Sequence, residues 1–265
     1  MIVLETEALT RCFGALAAVD GLTISVESGE VFGLLGPNGA GKTTVIKMLT
    51  TLLPPTSGTA RVDGFDIIHN SSQVRRVIGY VPQLVSADGT LTGYENLLIF
   101  AKLYDIPRSE RESRVREALE FMGLTESRDK LVRNYSGGMI RRLEIAQSMM
   151  HHPTVLFLDE ATVGLDPVAR NGVWEHIERL RADYGTTIVL TTHYMEEADG
   201  LCSRVAIMHL GKVAAIGTPA KLKASLGRDD ATLDDVFVHY TGYELESGRS
   251  YREVTRTRRA AQRLG

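Results

Sequence analysis

Gly36-Pro37-Asn38-Gly39-Ala40-Gly41-Lys42-Thr43 fits the phosphate-loop pattern G-x-x-x-x-G-K-[ST]. Its flanks supply the setting that the pattern requires. Before it, Val31-Phe32-Gly33-Leu34-Leu35 is a short apolar run that reads as a buried strand. After it, residues 43–53 carry helical spacing and stop at Pro54-Pro55, which cannot continue a helix. The glycines let backbone N–H groups curl around phosphate oxygens with no Cβ in the way. The helix that follows points its positive N-terminus at the same anion. Lys42 is placed to reach the β- and γ-phosphates of a nucleotide, and the Thr43 hydroxyl to ligate Mg²⁺. A glycine-rich turn before a helix is the plainer reading, but the whole pattern in its strand–loop–helix setting favours nucleotide binding.

Outward from the loop, residues 3–9 and 22–27 alternate or cluster β-formers, and Ser28-Gly29-Glu30 is a turn signal. Residues 59–62 and 78–81 predict further short strands. From about 92 to 135 the texture turns helical. Thr92 with Glu95, and Ser109 with Glu112, have capping-box spacing, and Val115, Leu119 and Met122 form an apolar stripe. Strands at 155–158, 187–190, 205–209 and 212–216 then alternate with helices at about 137–150, 168–182 and 194–200. Apolar strands separated by amphipathic helices predict an α/β fold with a parallel sheet covered on both faces.

The chain has 265 residues, 43% hydrophobic and 24% charged, with a formal net charge of -3. These are ordinary values for a globular protein and leave no overall nucleic-acid footprint. Cys12 and Cys202 have no metal-ligand spacing and read as reduced thiols. The N-terminal residues lack a signal-peptide pattern. No apolar run approaches the roughly 20 residues that cross a bilayer, so a path through a membrane is expected to come from another chain. From Arg249 onward arginines dominate, and that tail is expected to be mobile. His151-His152 reads as a helix end where imidazoles suit the negative dipole, and Met149 and Met150 read as packing.

Two more stretches carry chemistry. Val155-Leu156-Phe157-Leu158-Asp159-Glu160 is an apolar strand that ends in two carboxylates, at the strand end where α/β sheets place ligands. One acid can hold Mg²⁺ and the next can accept a proton from attacking water; alone, it is also how many buried strands end. Tyr135-Ser136-Gly137-Gly138-Met139 precedes a helix. Ser136 can cap it, and the glycines let its N–H groups approach an anion. A capped helix start is the equal alternative.

The order of these parts resembles the ATP-binding-cassette (ABC) ATPases over nearly the whole chain to about residue 225. That order is phosphate loop, Gln83 after a strand, Ser-Gly-Gly helix start, Asp159-Glu160, Gly164-Leu165-Asp166, and His193 after a strand. The resemblance implies a P-loop NTPase (RecA-like) core with an N-terminal antiparallel β lobe and an inserted helical lobe at about 84–135. It divides the chain into an ATPase domain, 1–225, and a C-terminal extension, 226–265. It implies ATP and Mg²⁺ as ligands. Residues 36–43 with Thr44 would hold the phosphates, and Thr43, Gln83 and Asp159 the metal. Glu160 would be the general base, with Gln83, Lys42 and His193 completing the catalytic set. Phe13 matches the aromatic that stacks on adenine, with a β-lobe core residue as its other reading. Ser136, Gly137, Gly138 and Asp166 would act across a dimer of two copies or of this chain with a paralogue.

The departures are Tyr135 and Met139 at the ends of the usual Leu-Ser-Gly-Gly-Gln signature, and Ala161 where proline is common. None removes a phosphate or proton-transfer group. Tyr135 to Glu144, together with Leu233-Asp234-Asp235-Val236-Phe237, is similar to the daunorubicin-resistance type of ATPase. That implies a subunit powering export through a separate permease, held peripherally at the cytoplasmic face of the membrane, with no nucleic-acid partner. A non-transport ABC ATPase acting on nucleic acid or ribosomes is the alternative. Such proteins carry coiled-coil or zinc insertions or a second cassette, which this chain lacks.

Overall fold

The computed structural model describes residues 1–242; the arginine-rich tail expected to be mobile lies outside them. In chain order the strands are β1 (Ile2–Phe13), β2 (Leu16–Leu22), β3 (Ser25–Glu27), β4 (Val31–Leu35), β5 (Ser57–Val62), β6 (Phe65–Asp66), β7 (Ile78–Val81), β8 (Val155–Asp159), β9 (Thr187–Thr192), β10 (Arg204–His209) and β11 (Lys212–Gly217). The helices are α1 (Lys42–Leu49), α2 (Ser71–Val77), α3 (Gly93–Leu103), α4 (Arg111–Phe121), α5 (Gly137–Met149), α6 (Pro167–Tyr184), α7 (Met195–Leu201), α8 (Pro219–Ala224) and α9 (Leu233–Thr241).

They form two sheets. The antiparallel one has the order β2-β1-β5-β6, with β3 also paired to β1. The other runs β11-β10-β4-β9-β8-β7 and is parallel except for the β10–β11 hairpin. Apolar strands buried on both faces make two cores, one on each side of this sheet. In β4, Val31 and Leu35 join the core on the side of α5 and α6, while Phe32 and Leu34 face α1 and the antiparallel sheet. Leu156 and Leu158 alternate with Val155 and Phe157 in the same way along β8. This is the α/β core with an N-terminal β lobe that the sequence predicts. Helices α3 and α4 sit between β7 and β8 as an insertion.

Three local expectations fail for physical reasons. Helix α1 ends at Leu49, short of the prolines: Thr50 turns its hydroxyl back onto the Ile46 carbonyl (2.8 Å), and Thr51 enters the left-handed region (φ 62°). The Thr92–Glu95 capping box forms in both directions. The Ser109–Glu112 pair does not, because α4 starts at Arg111 with Glu110 at its cap and no side-chain cap bond. His151 is not a dipole-matched cation. Its ring stacks on Tyr104 with centroids 3.8 Å apart, and Nε2–H donates to the Ile78 carbonyl at 2.9 Å. Burial pushes its pKa down to about 4, so it stays neutral. Met149 and Met150 are buried in the core, as read.

Gly33 is where the central strand needs a missing side chain. A Cβ there would lie 2.7 Å from Cys202 Sγ and 3.2 Å from Val205 Cγ1. Burial raises the Cys202 thiol pKa, so this sulfur packs as a small hydrophobe. Gly33→Ala is therefore expected to destabilise the fold by about 1–3 kcal/mol through overpacking. Adding Cys202→Ala should recover much of that loss. Denaturant midpoints of the three variants check it; strictly additive losses would show that the contact is not the cause.

Candidate functional site

The site sits at the carboxyl ends of β4, β8 and β9, where the loop after β4 meets the N-terminus of α1. Two glycines permit the loop's path. A Cβ on Gly36 would lie 2.4 Å from the Met208 carbonyl oxygen, and one on Gly41, at φ 101°, would lie 2.4 Å from that of Ala18. The loop is pinned further by Gly36 N–H to Thr192 O (3.2 Å) and Ala40 N–H to Pro37 O (3.2 Å). Beside it lies a cleft of about 440 Å³, within the size range of small-molecule sites. Asn38, Gly39, Gly41, Lys42, Thr43 and Thr44 line one wall, Leu16 and Ala18 of β2 another, and Gln83 and Glu160 the far side. A second cavity, apolar and about 30 Å³, lies among α4, α5 and α6 and is too small for a nucleotide.

Lys42 is almost fully buried. Its ammonium donates to the carbonyls of Gly36 (2.7 Å) and Pro37 (3.1 Å) and pairs with Glu160 Oε1 at 3.2 Å. Burial pulls its pKa below the ordinary lysine value, and the Glu160 charge opposes that pull.

Glu160 occupies the left-handed region, at φ 48°, a conformation that costs a non-glycine residue about 1–3 kcal/mol and persists where surroundings over-determine it. Here Thr191 does so: the Glu160 N–H donates to the Thr191 carbonyl (3.2 Å) and hydroxyl (2.9 Å). The turn brings the buried carboxylate among three partners. Gln83 Nε2 donates to Oε2 at 3.1 Å, while Lys42 Nζ and His193 Nδ1 lie 3.2 and 3.5 Å from Oε1. One residue earlier, Asp159 Oδ1 accepts from the hydroxyls of Thr191 (2.6 Å) and Thr43 (3.0 Å). Lys42, Thr43, Gln83, Asp159, Glu160 and His193 are thus gathered at the mouth of the loop.

Ser136, Gly137, Gly138 and Asp166 lie elsewhere and do not line the cleft. The Ser136 hydroxyl caps α5 by accepting the Met139 N–H (3.3 Å), and Asp166 caps α6 by accepting the Ala169 N–H (2.9 Å). The two starts pack together: a Cβ on Gly138 would lie 2.9 Å from that of Ala169. Ser136, Gly137 and Asp166 are exposed. Phe13 is 47% exposed, so it is not a core residue. It ends β1 opposite Leu16, which lines the cleft, with the Arg11 guanidinium 4.7 Å from its ring centroid.

Sequence reasoning missed Thr191, whose one hydroxyl links both acids. The threonine pair that ends β9 just before His193 was its only signal. It also left Arg141 and Glu144 without a role. They form a buried ion pair (2.8 Å) that grips the segment carrying Gln83. Among the described residues no cluster of three or more His, Cys, Asp or Glu could hold a metal. The donors that do converge are hard oxygens, the Thr43 hydroxyl and the Asp159 carboxylate. Gln83 keeps its amide oxygen, since its Nε2 is turned to Glu160. That set suits Mg²⁺ sharing its coordination with phosphates.

Comparison with known proteins supplies the class to which this arrangement belongs. The family model described as ABC transporter matches residues 19–163. The daunorubicin/doxorubicin resistance ATP-binding protein DrrA of Streptomyces peucetius is 48% identical over 224 residues, which are 84% of this chain and 68% of that protein. The Nod factor export ATP-binding protein I of Ralstonia nicotianae is 43% identical over 220 residues, 83% of this chain and 68% of the relative. Among solved structures, cbiO1 of Clostridium perfringens, part of the ABC transporter complex cbiONQ, superposes with a TM-score of 0.78 at 26% identity, covering 95% of this chain and 99% of that one. A phosphate loop facing a strand-end Asp-Glu pair, in a chain with these relatives, identifies the protein as an ATP-binding and ATP-hydrolysing subunit of the ABC transporter family.

Proposed function

We propose that this subunit binds Mg²⁺-ATP in the cleft beside the phosphate loop and hydrolyses it with Glu160 as general base, driving export through a separate permease. The convergence of Lys42, Gln83 and His193 on the buried Glu160 carboxylate carries this reading. Residues 36–44 hold the phosphates. Lys42 exchanges the Gly36 and Pro37 carbonyls and Glu160 for phosphate oxygens, so the arriving anion releases the carboxylate to take a proton from water. Gln83 keeps contact with that carboxylate, and His193 stabilises charge on the transferring phosphoryl group. Mg²⁺ would be held by Thr43, Asp159 and Gln83, where it would neutralise phosphate charge. Phe13 supplies a ring at the cleft's edge for the adenine.

The Ser136-Gly137-Gly138 turn, exposed at Ser136 and Gly137, and the exposed Asp166 serve the partner's ATP in a head-to-tail dimer of two copies or paralogues. The permease docks on the helical lobe, taken as about 84–135. In support, no helix among the described residues is long and apolar enough to cross a membrane. Leu84 and Val85, which follow Gln83, and Ile99 and Leu103 of α3 also leave large apolar side chains exposed. Attachment to that permease places the subunit at the cytoplasmic face of the membrane. The names of the relatives, resistance and export proteins, favour outward transport over action on nucleic acid or ribosomes. Residues 1–225 then form the motor and 226–265 an extension.

Glu160→Gln keeps size and loses the proton acceptor, so hydrolysis should fall by roughly 10²- to 10⁴-fold while ATP still binds. The ATP-bound dimer should accumulate in light scattering after size exclusion. Adding Ser136→Arg should abolish it, since a bulky side chain obstructs the partner's γ-phosphate. Parent-rate hydrolysis by Glu160→Gln removes Glu160 from its role, and a dimer that survives Ser136→Arg reduces Ser136-Gly137-Gly138 to a helix cap.

Thr191→Val removes the hydroxyl that donates to Asp159 and accepts from Glu160 N–H. Expected are a stability loss of about 1–3 kcal/mol, read by denaturant titration, and slower hydrolysis. Unchanged turnover in the destabilised variant would confine Thr191 to a structural role.

A further inference from the structure

Helix α5 begins at the Ser136-Gly137-Gly138 turn and carries a buried polar row at Arg141, Glu144 and Gln147, spaced three residues apart on one side. Side-chain exposure is 7% for Arg141 and 1% for Glu144. Almost everything this row bonds belongs to one segment. The Arg141 guanidinium donates to the carbonyls of Pro82 (2.8 Å) and Gln83 (3.0 Å) and to Glu144 Oε2 (2.8 Å). Glu144 Oε1 accepts from the Ser86 N–H, the Ser86 hydroxyl (3.0 Å) and the Ala87 N–H (3.4 Å). Gln147 Nε2 donates to Asn96 Oδ1 (3.2 Å), and Asn96 brackets Asp88 by accepting its N–H and donating to its carbonyl, both at 3.0 Å. The backbone from 82 to 88 is thus strapped to α5, with the Gln83 side chain turned inward to Glu160 and Leu84 and Val85 outward.

A buried ion pair is a poor stabiliser compared with apolar side chains of similar volume, so its use here calls for a geometric role. An α-helix rises 1.5 Å per residue, which puts Arg141 only about 7.5 Å along the axis from Ser136. A shift of the helix start must therefore move the strap.

We propose that the Arg141–Glu144–Gln147 row is the link by which an ATP held at Ser136-Gly137-Gly138 sets Gln83 in the same chain. One ATP of the dimer thereby governs the hydrolytic centre of the other. Arg141 and Glu144 are positioning residues: they touch no substrate and act through Gln83. The inference rests on the dimer proposed above.

Full-length protein carrying Arg141→Met with Glu144→Leu tests it, because apolar replacement of both partners avoids an orphaned buried charge. The variant should keep its ATP affinity and, in the Glu160→Gln background, its ATP-dependent dimer. With Glu160 intact, its kcat should fall at least ten-fold and the Hill coefficient for ATP should drop to one. Arg141→Lys, which keeps the charge but cannot reach both carbonyls, should show the same loss of kcat in weaker form and serves if the double variant does not fold. Parent kcat and parent cooperativity in either folded variant overturn the link. So does loss of the dimer itself, which would place the row's effect on the helix start and not on Gln83. If Glu160→Gln alone forms no ATP-dependent dimer, the underlying reading fails before the row is touched.

Discussion

The proposed hydrolytic centre depends on a single backbone conformation, the left-handed turn at Glu160. An extended residue there would continue β8 and project its side chain onto a face of the sheet. The positive φ instead ends the strand and swings the carboxylate toward Lys42, Gln83 and His193. Thr191 makes that conformation affordable, because its carbonyl and hydroxyl both accept the Glu160 N–H while the same hydroxyl donates to Asp159. The register of β8 against β9 places Asp159 opposite Thr191. Strand pairing in the core therefore dictates the geometry of the two acids.

That dependence explains the packing beneath. The β4, β8 and β9 strands are buried on both faces, and each alternates its side chains between the two cores. A slip of one residue in any of them would exchange those cores and carry the acids away from the loop. Gly33 lets Cys202 close on the middle of β4, the strand that delivers the loop, and Gly36 lets Met208 approach the loop's first residue. The loop is held by backbone contacts on two sides before any ligand arrives, so little ordering is left for binding to impose.

The fold was legible because its signals were local: a phosphate loop between a strand and a helix, and strands whose apolar runs have strand length. Where local signals competed with tertiary ones they misled. Ser109 and Glu112 have capping-box spacing, yet α4 starts later, at Arg111. Pro54-Pro55 marks where a helix must have stopped, not where Thr50 and Thr51 stop it. His151 looked like a charge at a helix end, and only the packed Tyr104 ring and the Ile78 carbonyl make it a neutral strut. At the site, the Lys42–Thr43 and Asp159–Glu160 pairs stand out in the sequence because their residue types are chemically conspicuous. Thr191 and Arg141 do not, because their importance lies in what they touch across more than 30 intervening residues.

The same structure supports the proposed pairing of two copies. Ser136 and Asp166 have each spent an oxygen on capping their own helices, and their backbones pack against one another through Gly138 and Ala169. What they leave outward is two helix starts side by side, with Ser136, Gly137 and Asp166 exposed, at the kind of helix end that suits an anion and outside the lining of the chain's own cleft. A chain with a phosphate site on one face and an anion-ready surface on another can satisfy both by a two-fold pairing in which each surface meets the other's site. Such pairing closes after two subunits and makes two equal sites. In the dimer proposed above, each ATP would lie between a loop that holds it and a helix start that reads it, and neither chain would complete its own site alone.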